Sequence, residues 1–134
     1  MGEVNWIAVI AAGLSAMVLG GLWYSPLLFH KTWQRGAGIS DEEMKNNARH
    51  PAIVFGGSTL ISIAAAFVFS MFLGPKPSLM FGLGAGASAG LFWVAGSFAI
   101  NYLFERKSMT LFLVNGGYHT IQFTLYGLIL SVLG

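Results

Sequence analysis

Four long apolar runs alternate with three short polar breaks along the chain. An α-helix needs roughly 20 apolar residues to cross a hydrocarbon layer about 30 Å thick, and each run is long enough to do so. The runs extend over about Asn5–Phe29, Pro51–Leu73, Leu79–Phe104 and Met109–Leu133. The pattern therefore predicts an all-α, polytopic membrane protein, in which residues 1–134 form a single domain built as a four-transmembrane-helix bundle.

The breaks between the runs contain nearly all of the charged residues. The basic residues of the first and third breaks are Lys31, Arg35, Lys45, Arg49, Arg106 and Lys107. Lys76 is the basic residue of the second break. Because positively charged loops of membrane proteins remain in the cytoplasm, this asymmetry predicts cytoplasmic first and third breaks and both termini outside.

The first break also carries a signal for a short helix. Ser40 is followed three residues later by Glu43, which is the spacing of a capping box, and Pro51 prevents the helix from running on unchanged into the next run. The sequence predicts a cytoplasmic helix from about Asp41 to Arg49, close to the membrane surface.

Small residues recur at four-residue spacing in the first and third runs. This spacing places them on one face of a helix, where they allow two helix backbones to approach closely in lipid. The residues are Ala8, Ala12, Ala16 and Gly20 in the first run, and Gly82, Gly86 and Gly90 in the third. We expect two tight crossings, either with each other or with a second copy of the chain, and a homo-oligomer as the assembled state. Ordinary packing is the favoured interpretation of these glycines over a mobile ion-conducting element.

The polar residues of the fourth run lie on one edge of its helix. Asn115, His119, Gln122 and Tyr126 are spaced i, i+4, i+7 and i+11, which places them within about 60° of one another. His119 lies near the middle of the run, and therefore near the bilayer midplane. We expect the polar residues that face this edge at similar depth to be Ser15 on the first run and Ser58, Thr59 and Ser62 on the second. We expect Asn101 and Tyr102 to meet Asn115 nearer the cytoplasm.

Two interpretations of this polar edge are open. The first is a network of interhelical hydrogen bonds that fixes how the helices pack. The second is a binding site for a ligand, proton or ion centred on His119, since polar groups at membrane depth are often functional. No Asp, Glu, Lys or Arg lies within any of the four runs, so neither interpretation involves a formal charge on a membrane carboxylate or amine.

The end of the first run is rich in aromatic residues. Pro26 removes a backbone donor, so the helix is expected to kink or end there, while Trp23, Tyr24 and Trp33 anchor the turn at the headgroups. The alternative is that Trp23 and Tyr24 line the cytoplasmic mouth of a cavity together with Asn101 and Asn115.

Composition narrows the classes of function. The chain is 55% hydrophobic and 9% charged, which is too few charges to solvate a globular surface. It has no cysteine, which excludes disulfides, thiolate zinc sites and cysteine nucleophiles. Its net charge of +2 is not arranged as a basic tract, so nucleic acid is not an expected partner. His30 and His50 match no metal-ligand spacing, and we predict no metal and no cofactor.

Three stretches of the sequence resemble a known family. They are GGLWYSPLLFHKTW (20–33), NYLFERKS (101–108) and FLVNGGYHTIQFTLYGLIL (112–130). Together with the four runs they are similar to the bacterial membrane family catalogued as domain of unknown function 1761. The resemblance implies a multi-pass protein of the bacterial cytoplasmic (inner) membrane, and it implies no activity.

The sequence leaves two hypotheses for function. The first is a protein that binds, or passes through the bilayer, a small neutral solute or a lipid at the polar edge of the fourth helix. The second is a non-catalytic interaction or scaffold protein, whose polar edge and glycines only pack helices. An enzyme ranks third, because no arrangement of nucleophile, base and orienting group is visible.

Overall fold

Every regular element in the described part of the chain is helical. The computed structural model describes residues 4–46 and 50–134. The helices are α1 (Trp6–Trp23), α2 (His30–Ala37), α3 (Asp41–Asn46), α4 (Pro51–Leu73), α5 (Leu79–Ser88), α6 (Gly96–Glu105) and α7 (Met109–Leu133). A π-helical segment, Ala89–Ala95, joins α5 to α6 without a break.

Three helices are long and apolar enough to cross a membrane: α1, α4 and the continuous helix Leu79–Glu105. Their outward faces carry large apolar side chains, such as Ile7, Leu60 and Phe92. Such a surface is stable in lipid and not in water, so the chain is a membrane protein. Helix α7 has 25 residues, but its polar edge makes it less apolar than these three.

Local capping explains where most helices begin. The side chains of Asn5, Ser78 and Ser108 accept hydrogen bonds from backbone amides in the first turns of α1, α5 and α7. Pro51 starts α4, where a missing backbone N–H costs nothing. These signals lie close together in the sequence, and the bounds of α4 and α7 coincide with the predicted runs.

The predicted extent of the first membrane helix was wrong: α1 ends at Trp23, six residues before Phe29. Pro26 has no amide hydrogen to continue the helical ladder. The carbonyl of Leu22 instead accepts from the amide and the hydroxyl of Ser25, at 3.2 Å and 2.7 Å. The chain then turns and begins α2, a helix that the sequence pattern did not predict.

A short turn joins α2 to α3. Gly38 ends α2 with φ 73°, and the Gln34 side chain donates to Asp41 in α3 over 2.7 Å. Half of the capping box predicted at Ser40 is present, since Ser40 Oγ accepts from the Glu43 amide at 3.1 Å. The Glu43 carboxylate accepts from the Ser40 hydroxyl at 3.3 Å, and not from the Ser40 amide. The predicted helix extended to Arg49; it is helical to Asn46, and residues 47–49 lie outside the described residues.

Helix α7 lies at the centre of the bundle. It packs against α1 on one side and against α5 and the π-helical segment on the other, while α4 covers α1 and α2 covers part of α7. The Asn5 side chain donates to the Leu133 carbonyl at one end, and the Trp23 indole donates to the Val114 carbonyl at the other. Helices α1 and α7 are therefore antiparallel along their whole length.

Each stripe of small residues packs against α7 within this chain, and not against the other stripe. A Cβ atom added at Gly86 would overlap the Phe123 carbonyl, and one at Gly90 would lie 2.8 Å from Thr120 Cα. Gly82 meets Gly127 in the same way. In α1, Ala8, Ala12 and Ala16 are fully buried in a core with Tyr126 and Leu130, and Gly20 lies beside Tyr118.

Candidate functional site

Three of the predicted polar residues form a buried network between α7, α4 and α1. The Gln122 side-chain amide donates to the Tyr126 hydroxyl over 2.6 Å, and the hydroxyls of Tyr126 and Ser62 lie 2.6 Å apart. Ser62 donates in turn to the Gly13 carbonyl over 2.9 Å. Gln122, Tyr126 and Ser62 are 7%, 0% and 5% exposed. We call the set of Gln122, Tyr126, Ser62 and Gly13 the deep network.

The direction of the donors in the deep network follows from proton counting. Ser62 has one hydroxyl proton and gives it to Gly13, so Tyr126 donates to Ser62 at their contact. Gln122 uses its amide nitrogen on Tyr126, and its oxygen then accepts from Nδ1 of His119 at 2.6 Å. The proton of the His119 ring is therefore assigned to Nδ1, and in the neutral ring Nε2 is an acceptor.

His119 links the deep network to a group of aromatic side chains. Its ring stacks on Phe98, with centroids 5.1 Å apart and planes 11° from parallel, and meets Tyr118 edge-on at 4.9 Å. Nε2 has no hydrogen-bond partner among the described residues, and none of their unpaired side-chain polar atoms is fully buried. This nitrogen is therefore an acceptor that is at least partly exposed.

The aromatic group closes on itself. Tyr118 packs on Tyr24 at 5.4 Å, and Phe98 packs on Tyr102 at 5.6 Å. Asn115 completes the circuit, since its oxygen accepts from the Tyr24 hydroxyl at 2.6 Å and its nitrogen donates to the Tyr102 hydroxyl at 2.7 Å. We call this set the aromatic cluster; its members are Tyr24, Phe98, Tyr102, Asn115, Tyr118 and His119. All six are half-buried, so the cluster is partly exposed.

The π-helical segment decides which side of α6 meets α7. Gly90 contacts the backbone of α7, and regular α-helical spacing from it would bring positions 97 and 101 to the same face. A π-helical turn accommodates one additional residue. Phe98 and Tyr102 therefore reach His119 and Asn115, one helical turn apart on both helices.

Two residues were expected to meet Asn115, and this shift separates them. Tyr102 bonds Asn115, as expected, whereas the Asn101 side chain is exposed and does not. Sequence spacing could not reveal the change, since the π-helical turn occurs where Gly90 is pressed against another helix.

The aromatic residues around the end of α1 contact α7 more closely than side chains that only anchor a helix at the headgroups would. Trp23 donates to the Val114 carbonyl at 2.8 Å, and Tyr24 belongs to the aromatic cluster. Trp33 meets Tyr24 edge-on at 6.1 Å, while Pro26 is exposed in the turn. The cavity mouth was expected to include Tyr24, Asn101 and Asn115. The structure brings Tyr24 and Asn115 together, and Asn101 does not join them.

Sequence reasoning missed Gly13, Phe98 and Tyr118. Tyr118 donates to the Ala16 carbonyl at 2.9 Å, and a Cβ atom at Gly13 would lie 2.7 Å from Ile63 Cα. A tyrosine beside a membrane-depth histidine was the available signal for Tyr118; Gly13 lies outside the four-residue spacing and gave none. In residues 4–46 and 50–134, no three His, Asp or Glu side chains group as metal ligands.

The comparisons with known proteins bear on the family. A model for a protein family described as a protein of unknown function (DUF1761) matches residues 7–131. The chain belongs to this family. This confirms the resemblance of the three sequence stretches. No curated protein matches the chain, and no solved structure matches it. The family description assigns no activity, so the argument for function depends on the site.

Proposed function

We propose that the protein crosses the bacterial inner membrane four times, with both termini outside and α2, α3 and the 105–108 loop in the cytoplasm. Helix α7 as the fourth span is supported by its position alongside α1 from end to end. Its polar edge is turned into the chain, while its exposed positions include the apolar residues Leu113, Ile121 and Val132. The distribution of Lys and Arg supports the orientation.

Within this bundle, the aromatic cluster binds a small neutral ligand that carries a hydrogen-bond donor. The observation that carries the proposal is the accessible Nε2 of His119, held as an acceptor by the bond between Nδ1 and Gln122. The surrounding rings of Tyr118 and Phe98 would contact an apolar or aromatic body. Apolar walls with one placed polar atom are typical of small-molecule sites.

Binding is favoured over passage through the bilayer. A path along the polar edge beyond His119 would need Gln122, Tyr126 and Ser62 to separate, and all three are almost fully buried and mutually bonded. Breaking such bonds without replacements costs more in lipid than in water. We therefore place the ligand at the exposed part of the aromatic cluster, on the side nearer the cytoplasm.

Phenol and toluene test this proposal as probes, because they share a ring and only phenol donates a hydrogen bond. With ¹⁵N-histidine-labelled protein in detergent, phenol should shift the Nε2 resonance of His119, and toluene should shift it much less. The His119→Phe variant assigns the signal among the three histidines. Asn101→Ala, an exposed neighbour outside the cluster, should respond as the wild type does. Equal responses to both probes, or none to phenol, would contradict the proposal.

A second candidate is a non-catalytic interaction or scaffold protein. It is supported by the complete pairing of buried side-chain polar atoms among the described residues. In this case His119→Ala should lower the unfolding temperature in detergent while neither probe binds the wild type. The protein acts without catalysis under both proposals, and we propose a homo-oligomer, which chemical cross-linking in native membranes would test.

A further inference from the structure

Two cavities lie at the end of the bundle away from the aromatic cluster, and Leu73 lines both. The larger, about 610 Å³, is enclosed by α1, α4, the end of α7 and the loop from Gly74 to Pro77. The smaller, about 320 Å³, is a groove between α4 and α5. A headgroup-sized space thus adjoins a narrow apolar groove.

The larger cavity is lined by one basic side chain. Lys76 lies in the loop between Pro75 and Pro77, is exposed, and has a left-handed backbone with φ 48°. The two flanking prolines restrict this loop and hold the lysine at the cavity. Asn5 and Ser70 also line the cavity, but both already donate to helix carbonyls. The chemistry of this space therefore favours an anionic group.

The groove has the dimensions of a hydrocarbon chain. Its aromatic walls are Phe69, Phe72, Phe81, Phe92 and Trp93. From Phe81 to Trp93 it follows α5 and the π-helical segment for about 18 Å, slightly more than half of a hydrocarbon layer about 30 Å thick. A second helix, about 10 Å wide, would need several times 320 Å³ over this length. The groove therefore suits an acyl chain of one leaflet better than a helix of another copy.

We propose that the two cavities form one site for an anionic phospholipid. The ammonium group of Lys76 pairs with the headgroup, Leu73 lies at the glycerol level, and one acyl chain occupies the groove between α4 and α5. This site is separate from the aromatic cluster and does not depend on ligand binding there.

The predicted contact between Lys76 and the headgroup can be tested by native mass spectrometry with equal amounts of dioleoyl phosphatidylglycerol and dioleoyl phosphatidylcholine. The wild type should retain more of the anionic lipid. Lys76→Gln should lower that preference about fivefold, which corresponds to about 1 kcal/mol per basic residue near an anionic lipid. Lys45→Gln removes the same charge from exposed α3 and should leave the preference unchanged. An unchanged preference in Lys76→Gln, or an equal loss in Lys45→Gln, would overturn the assignment.

A second pair of variants tests the groove. Ser88 lines the groove but is exposed, so Ser88→Phe should fill the groove without disturbing the core, and bound lipid of both kinds should fall several-fold. Gly84→Phe adds a ring on the same helix where no atom lies within 4 Å, and should retain lipid. Retention of lipid by Ser88→Phe, or its loss from both variants alike, would show that the groove is not the chain site.

Discussion

Tyr126 is fully buried, yet its hydroxyl connects three helices. It accepts from Gln122 on its own helix and donates to Ser62 on α4, which bonds Gly13 on α1. Little water is available at this depth, so each of these groups depends on the others for its hydrogen bond. A single hydroxyl thus fixes the relative position of α1, α4 and α7.

Tyr126→Phe should therefore destabilise the bundle by about 1 to 2 kcal/mol. The change removes two hydrogen bonds at once, one to Gln122 on the same helix and one to Ser62 on α4. The free energy of unfolding, measured by titration from mild detergent into dodecyl sulfate, checks this value. Tyr102→Phe is the matched control, because Tyr102 is half-buried in the partly exposed aromatic cluster and accepts one bond. A loss in the control as large as that in Tyr126→Phe would show that burial of the deep network is not what matters.

The two nitrogens of His119 have different environments. Nδ1 is bound to Gln122, whereas Nε2 is accessible. The sequence interpretations of this residue, as a packing residue or as a binding residue, therefore apply to different atoms of the same ring. The deep side of the ring stabilises the fold, and the open side is the proposed ligand contact.

At the scale of elements, the glycines of α5 and of the π-helical segment determine how closely this long helix approaches α7. Gly82, Gly86 and Gly90 leave no room for a Cβ atom against the backbone of the facing helix. This close contact gains dispersion energy and excludes lipid, which is the main source of helix association in a bilayer. The π-helical segment begins beside the last of these glycines and rotates α6 for its contacts with the aromatic cluster.

Gly86→Ala should lower the free energy of unfolding by about 1 to 3 kcal/mol, because the new methyl group would overlap the Phe123 carbonyl and force the helices apart. Gly84→Ala is the matched control on the next face, where no atom lies within 4 Å, and should not destabilise the protein. The same detergent titration measures both variants. Equal stability of the two would mean that the α5–α7 contact does not hold the bundle together.

At the scale of the whole molecule, α7 is the most polar of the four long helices and also the most enclosed. Helices α1 and α5 cover it from two sides and α2 from a third. This arrangement would exclude lipid from the polar edge of α7, which is what the proposed fourth span requires of a less apolar helix. The order of the helices in space, with the last one at the centre, therefore follows from the need to shield polar groups.

The proposed topology, in which α4 crosses the membrane, would place α3 in the cytoplasm and the Lys76 loop outside. The chain has no cysteine, so single cysteines at Lys45 and Lys76 can be labelled without background. In intact cells, a membrane-impermeant maleimide should label the Lys76→Cys variant and not the Lys45→Cys variant. After permeabilisation both should label. Labelling of both variants in intact cells would contradict this orientation.

Much of the fold is predictable because the relevant signals are local. Ser78 and Ser108 mark helix starts through bonds within three residues, and Pro51 marks one because it has no amide hydrogen. The spacing of the polar edge, by four, three and four residues, defines one face of α7. Helix α2 and the end of α1 were less predictable, because the apolar residues after Pro26 resemble a continuing span. The proline itself was the decisive local signal.

The sequence by itself determined that this chain lies in a membrane, where its long helices begin, and that polarity at membrane depth gathers around His119. These properties depend on hydropathy and helical period, which can be read from the order of the residues alone. Only the tertiary structure decided that Tyr102 replaces Asn101, that the glycines meet α7, and that one nitrogen of His119 is bonded while the other is open. Those features depend on how closely two backbones approach, and that distance is set by residues far apart in sequence.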